Sequence, residues 1–346
     1  MISRRINEKS VRKAKELIDS AEKIVITAHK SPDGDAVGSA LAAARVLSAI
    51  GKDVHIVLPD DMLANLKTLP GSKEIVIAAK YPDFARQLFK EANLILCLDF
   101  NTPSRAGEFL QELIATAEAP KIVIDHHEHP DINADVVISH PEMCATAYLL
   151  FRFICRLELF NFIDRQAAEC LLAGIMTDTG NFAHNNSDDP EIYIVVSELI
   201  KKGARKYKLY RDIIENASAN AMRLKAYAIS NMRIFPEAGC ALLTLSRDEL
   251  NRFHYVKGDT EGLVNEPLAI SEVKWSVFMR QESKEIRISM RSEDSIGVNG
   301  ICAEFFEGGG HFNAAGGRFE GTLEQAVSYL ESIMPQIIEK YINIKK

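Results

Sequence analysis

The sequence predicts an α/β protein with a parallel-sheet N-terminal domain covered by helices on both faces, a helical linker, and a smaller α/β C-terminal domain. Three observations carry this. Short, fully apolar, β-rich runs alternate with helical patterns over the first two-thirds of the chain, as in parallel sheets buried on both sides. A long, polar, helical stretch without Pro or Gly then follows, from about Lys206 to Phe235. Beyond it the pattern changes to strand-like runs and a Gly-rich segment. The length, 346 residues, fits two domains at roughly 150 residues each.

The elements follow in order. The N-terminus, MISRRINEKSVRKAKEL, is charged and amphipathic and lacks the apolar core of a signal peptide, so it reads as a first helix. Ile24–Ala28 is a strand, Ala36–Ile50 a helix and Val54–Leu58 a strand. LILCLDF (Leu94–Phe100) and KIVID (Lys121–Asp125) are further buried-strand runs. Helical patterns cover Ala145–Leu157, Arg165–Met176 and Pro190–Lys202. In the second part, Cys240–Leu245, Trp275–Arg280 and Glu285–Met290 are strand-like, Gly308–Gly317 is Gly-rich, and a terminal helix starts near Leu323. The boundaries expected are a first domain at 1–205, a linker at 206–225 and a second domain at 226–346.

Composition narrows the function classes. Apolar content of 47% and charged content of 26% are those of ordinary globular protein. No uncharged apolar stretch of about 20 residues is present, so no membrane span is expected. Six cysteines occur without a CxxC pair, mostly in apolar runs, which suits reduced core thiols and a cytoplasmic location. A net charge of −7 disfavours a binder of long nucleic acid, which needs a broad basic surface. It leaves room for a small pocket charged by metal ions.

Ligands of doubly wound sheets bind beyond the carboxyl ends of the strands. Acidic and imidazole residues collect at those ends here. His29, Asp33 and Asp35 follow the first strand, Asp99 closes LILCLDF, and Asp125, His126 and His127 close KIVID. Asp178, in Thr177–Gly180, follows the apolar helix LLAGIM. Each has an ordinary reading: Asp35 as the cap of a helix starting at Ala36, Asp99 as a turn residue, the His pair as packing, Asp178 as a helix-end residue. Together, four segments deliver carboxylates to one crevice, where mutual repulsion calls for divalent cations. Carboxylates plus imidazole without thiolate suit Mn²⁺ or Mg²⁺. In an extended segment Asp33 and Asp35 would project to the same side, and a helix N-terminus beside them favours phosphate.

HKSPDGDAVGS, LDFN, DHHEHP, TDTGNF and GGGHFNAAGG stand in that order and span nearly the whole chain. This series resembles the DHH phosphoesterase superfamily, with a DHHA1-type second domain. Within it the chain is most similar to the two-domain nanoRNase and pAp-phosphatase group, rather than to the manganese pyrophosphatases or the longer RecJ-type exonucleases.

The resemblance implies roles. His29, Asp33 and Asp99 would hold one metal. Asp35, Asp99, His126 and Asp178 would hold the second, with Asp99 bridging and Mn²⁺ favoured over Mg²⁺. Asp125 would orient the His pair, and His127 would act on the scissile phosphate. In the second domain Gly308, Gly309 and Gly310 would cradle a substrate phosphate with their backbone amides, His311 would contact it, and Arg291 with Ser292 would bind it. The implied activity is two-metal hydrolysis of short oligoribonucleotides to mononucleotides and removal of the 3′-phosphate of adenosine 3′,5′-bisphosphate (pAp), with linear or cyclic di-AMP as neighbouring substrates. An exopolyphosphatase or a non-catalytic nucleotide-binding module are the alternatives. Expected partners are short RNA oligonucleotides or nucleotide bisphosphates, with no long nucleic acid and no membrane; a homodimer is left open. Arg105 and His184 receive no role. His55, His129 and His140 read as surface or packing residues, and Trp275 and Phe278 as core rather than base-stacking groups.

Overall fold

In the computed structural model, residues 6–183, 188–283, 285–293 and 295–342 are described; His184 lies outside them. The chain divides into two compact units, Met1–Asn216 and Ala217–Lys346.

The first unit runs α1 (Glu8–Ser20), β1 (Lys23–Thr27), α2 (Gly34–Ala49), β2 (Asp53–Leu58), β3 (Val76–Ile77), α3 (Pro82–Glu91), β4 (Leu94–Leu98), α4 (Gly107–Thr116), β5 (Lys121–Asp125), β6 (Val136–Ser139), α5 (Thr146–Arg156), α6 (Arg165–Asp178), α7 (Pro190–Lys201) and the short α8 (Lys206–Leu209). Its six strands form one parallel sheet in the order β3-β2-β1-β4-β5-β6. Alternation along the strands separates two cores. Ile24, Ile26, Leu96 and Ile124 pack with α1, α2, α5 and α6, whereas Val25, Ile95, Cys97 and Val123 pack with α3 and α4. The order reverses about β1 and β4, so the loops after those strands flank the crevice where ligands of such sheets bind.

Helices α2 and α6 cross at close range. A Cβ at Gly38 would lie 2.5 Å from the Cys170 carbonyl oxygen, and one at Gly174 would lie 2.7 Å from both Ala147 Cβ and Asp35 Oδ1. Two small residues therefore bring the start of α2 against the end of α6.

The second unit comprises α9 (Ala219–Ser230), β7 (Arg233–Phe235), β8 (Cys240–Leu245), α10 (Arg247–Arg252), β9 (Trp275–Gln281), β10 (Ile286–Ser292), α11 (Val298–Phe305), β11 (Gly309–His311), β12 (Ala314–Phe319) and α12 (Leu323–Ile337). Its sheet, β11-β12-β10-β9-β8-β7, is antiparallel except for the β8–β9 pair. Trp275 and Phe278 are buried in its cores, and the Trp275 indole donates to the Ala238 carbonyl at 2.9 Å.

The stretch expected as one helical linker over 206–225 is broken. Leu209 and Ile213 are buried in the first unit, α9 buries Leu224 and Ala228 in the second, and Ser218 starts α9 by accepting from Ala221 N–H at 3.0 Å. Polarity concealed the break, because the few apolar residues on either side serve different cores.

Candidate active site

The first-strand loop is organised by Asp33, not Asp35. Asp33 is the N-cap of α2, accepting from the amides of Asp35 at 3.0 Å and Ala36 at 3.1 Å. Asp35 lies inside the first turn of the helix, fully buried. The expected same-side projection of an extended segment is thus replaced by a cap followed by a helical turn. Asp35 instead crosses to α5. Its Oδ2 accepts from Thr146 N–H at 2.6 Å, and its Oδ1 accepts from Ala147 N–H at 2.8 Å and the Ser39 hydroxyl at 3.3 Å. The first amides of α5, which have no partner within their own helix, are satisfied by a carboxylate from another segment.

Asp99 follows β4 with φ +64°, a left-handed conformation that Asp tolerates better than most side chains. The side chain is buried. Its Oδ1 accepts from the Thr146 hydroxyl at 2.9 Å, and its Oδ2 faces His29 Nε2 at 3.2 Å. His29 Nε2 also lies 3.8 Å from Asp33 Oδ2. On the other side His126 Nε2 stands 3.2 Å from Asp178 Oδ2, 3.6 Å from Asp99 Oδ1 and 4.0 Å from Asp35 Oδ2.

Both imidazoles are oriented from behind. His29 Nδ1 lies 2.8 Å from the Lys30 carbonyl, and His126 Nδ1 lies 3.1 Å from the Met143 carbonyl. A carbonyl can only accept, so each Nδ1 carries a proton and each Nε2 turns inward, where loss of its own proton would free a lone pair for a metal. This is the arrangement of metal-ligating histidines. His127 differs: its Nδ1 is 2.7 Å from Asp125 Oδ1, while its amide donates to Asp125 Oδ2 at 3.1 Å. The two rings sit 4.8 Å apart at 65°, so they diverge.

The electrostatics of this crowd are extreme. Burial drives the Asp35 carboxyl well above the usual carboxylate range, and the nearby Asp178 and Asp99 push it further. Burial opposes a charged His29, yet Asp33 and Asp99 outweigh it and hold the imidazole well above 6.5. His126 is raised likewise, by Asp178, Asp99 and Asp35 against burial. Asp99 is held low despite burial, by His29, then His127 and His126.

The residues fit divalent cations. His29 Nε2 is buried without a hydrogen-bond partner. His29, Asp33 and Asp99 form one group whose ligand atoms lie within 4.8 Å of one another, and Asp35, Asp99 and His126 form a second. Asp99 belongs to both. Hard carboxylate oxygens with imidazole nitrogens are the donors that Mn²⁺ and Mg²⁺ take.

In the second unit Arg291 lies in β10. Its guanidinium donates to the Met290 carbonyl at 2.9 Å and has no carboxylate within 4 Å among the described residues; burial pulls it below the usual arginine range. Ser292 is engaged otherwise: its hydroxyl donates to the Ile296 carbonyl at 2.6 Å and accepts from the Asn313 amide at 2.9 Å. The three glycines do not form an open cradle. Gly308 N–H donates to the Cys302 carbonyl at 3.0 Å, and Gly309 and Gly310 pair with β12 as an edge strand ending at His311. A Cβ at Gly308 would lie 2.0 Å from the Gly316 carbonyl oxygen, so close packing accounts for that glycine.

Thr146 escaped sequence reasoning, since an isolated Thr at the start of a helix looks like an ordinary cap. Ser39 and Gly174, one beside and one against Asp35, escaped for a similar reason.

The family model for the N-terminal domain of the DHH family matches residues 23–175, and the model for the DHHA1 domain matches residues 250–336. A bifunctional oligoribonuclease and PAP phosphatase, NrnA, of Thermus thermophilus is 30% identical over 91% of this chain and 90% of its own length. The chain belongs to the DHH–DHHA1 phosphoesterase family. It is a hydrolase acting on phosphoester bonds. The cyclic-di-AMP phosphodiesterase GdpP of Bacillus subtilis is 25% identical over 94% of this chain and 49% of its own length. Among solved structures, an exopolyphosphatase-related protein of Bacteroides fragilis is 41% identical, with a TM-score of 0.93 over 97% of this chain and 99% of that one. The DHH motif itself, Asp125-His126-His127, closes β5, and no helix among the described residues is long and apolar enough to cross a membrane.

Proposed function

We propose that this enzyme hydrolyses short oligoribonucleotides to mononucleotides and removes the 3′-phosphate of pAp, using two divalent cations, with Mn²⁺ preferred. The observation that carries the reading is Asp99, one carboxylate shared by two ligand groups whose histidines both turn Nε2 inward. His29, Asp33 and Asp99 would hold one ion; Asp35, Asp99, His126 and Asp178 the other. Bound there, such ions supply an activated water and neutralise the charge of the phosphate.

The chain's own residues do the rest. Asp125 fixes the proton of His127 on Nδ1, which leaves Nε2 to hold or deliver a proton at the leaving oxygen. Arg291, a desolvated guanidinium with no carboxylate within 4 Å among the described residues, is suited to a substrate phosphate. His311 is assigned the same phosphate, on the strength of its motif. The relative named for oligoribonuclease and PAP phosphatase activities matches over nine-tenths of both chains, whereas the cyclic-di-AMP phosphodiesterase is matched over 49% of its own length, which favours short RNA and pAp over the cyclic dinucleotide.

The test is turnover with Mn²⁺ on pAp, pApA, cyclic di-AMP, a 5-mer RNA, a long RNA and polyphosphate. Hydrolysis of the 5-mer and pAp above the others is expected. Preferred hydrolysis of polyphosphate would replace this reading with an exopolyphosphatase. Tight nucleotide binding without turnover would replace it with a binding module.

A further inference from the structure

We infer that Thr146 is a positioning residue that fixes the two carboxylates around which both cation positions are built. This rests on the metal-assisted reading above. Thr146 is fully buried at the first position of α5 and faces two candidate ligands, one in the first turn of α2 and one just after β4. Its amide donates to Asp35 Oδ2 at 2.6 Å and its hydroxyl donates to Asp99 Oδ1 at 2.9 Å.

The two contacts act differently. The amide is backbone and survives any side-chain change short of proline. It holds Asp35 together with Ala147 N–H and the Ser39 hydroxyl. The hydroxyl is the one uncharged side-chain donor to Asp99 among the described residues. It fixes the rotation of that carboxylate about its Cβ–Cγ bond. With Oδ1 held toward α5 and His126, Oδ2 is left toward His29. Without the hydroxyl the carboxylate can turn, and one turn misplaces a ligand for both ions at once. The strained φ of +64° at Asp99 fixes where the side chain starts but not how its carboxylate is rotated, so the hydroxyl supplies a constraint the backbone does not.

The experiment compares Thr146→Val, Thr146→Ser and wild type, each prepared free of metal. Val keeps the volume and the amide and removes the hydroxyl; Ser keeps the hydroxyl. Mn²⁺ binding is titrated calorimetrically, and the unfolding midpoint is measured without and with Mn²⁺. Outer partners of metal ligands typically contribute about 10–100-fold in metal affinity. Thr146→Val is expected to lose that much on both equivalents, and Mn²⁺ should raise its midpoint by less than it raises the wild-type midpoint, by mass action. Thr146→Ser should behave as wild type.

A merely structural role would shift both midpoints together and leave the Mn²⁺-dependent difference unchanged. That result, wild-type Mn²⁺ affinity in Thr146→Val, or equal losses in Val and Ser, would overturn the inference. If Val does not fold, Thr146→Ala carries the same comparison; failure of both to fold also overturns it, since the hydroxyl would then serve the fold. A wild-type protein that binds no Mn²⁺ instead overturns the reading beneath.

Discussion

His29 Nε2 faces Asp99 Oδ2 across 3.2 Å, with no hydrogen-bond partner for that nitrogen among the described residues. A buried polar atom left in this way is costly unless something else takes it up. The shared carboxylate opposite is therefore the first residue to change. Asp99→Asn keeps a side chain that tolerates the left-handed backbone and still accepts from Thr146, so circular dichroism should be unaltered. Turnover should be abolished with Mn²⁺ or Mg²⁺. Near-normal activity in a folded Asp99→Asn protein would exclude the two-cation assignment.

The neighbouring histidines should separate by phenotype. His127→Ala should slow turnover by about 10²–10⁴-fold, the scale of proton-transfer assistance, with cation stoichiometry intact. His126→Ala should lose one equivalent of Mn²⁺. Metal titration of the two variants checks this, and the reverse pattern would exchange their roles.

Gly174→Ala tests the helix crossing. On an exposed helix face Ala is more favourable than Gly by about 1 kcal/mol. Here the new methyl would sit 2.7 Å from Asp35 Oδ1 and Ala147 Cβ, and overpacking costs about 1–3 kcal/mol. The second effect should win: urea unfolding should show a loss of stability, and Mn²⁺ affinity should fall with it. A more stable Gly174→Ala protein would mean that α2 and α6 separate easily.

The pH dependence follows from the shifted groups. His29 and His126 are raised in the folded state, so their contribution is complete below 6.5 and is lost as pH rises through their folded values. Asp35 is also raised, so its ionisation counts against the fold from 3.8 upward, through its folded value. Asp99 is lowered and contributes above 3.8, losing that contribution only as pH falls through its folded value. The metal-free protein should therefore lose stability as pH rises above about 6.5. Saturating Mn²⁺ should abolish the loss, and Mn²⁺ affinity should rise with pH as protons leave. Urea unfolding at several pH values, with and without Mn²⁺, measures both; a metal-free protein that gains stability over this range would contradict the assignment.

Arg291→Ala should raise KM with kcat little changed, since the role proposed for the guanidinium is to hold the substrate phosphate rather than the attacking water. The net charge of −7 gives little basis for an extended nucleic-acid track, and such tracks supply most of the affinity for long strands. Efficiency should therefore be higher on a 2-mer than on a 20-mer, and Arg291→Ala should narrow the gap. Equal kcat/KM on both lengths in the wild type would point to a processive exonuclease.

The parallel sheet and its ligand-bearing ends were legible because buried strands are continuous apolar runs, and the polar residues interrupting them stand out. Strand β3 was not, because two residues between short helical turns carry no period. Asp35 was legible as a candidate ligand but not in its geometry: capping of α2 by Asp33 is a choice among neighbouring carboxylates that periodicity does not make. Thr146 and Gly174 were invisible for a further reason. Each matters through a residue more than 40 positions away, and a single sequence does not show which segments meet. In the second unit, Gly308 was read as a phosphate cradle because glycine permits one; strand packing against Gly316 requires a glycine equally.

Between His29 and Asp178 the candidate ligands come from four segments of the chain, each at the end of a strand or helix. His29, Asp33 and Asp35 lie close together in sequence, but Asp99, His126 and Asp178 reach them only when β4, β5 and α6 pack in place. The complete candidate site therefore cannot assemble until α6 has been synthesised and packed against α2.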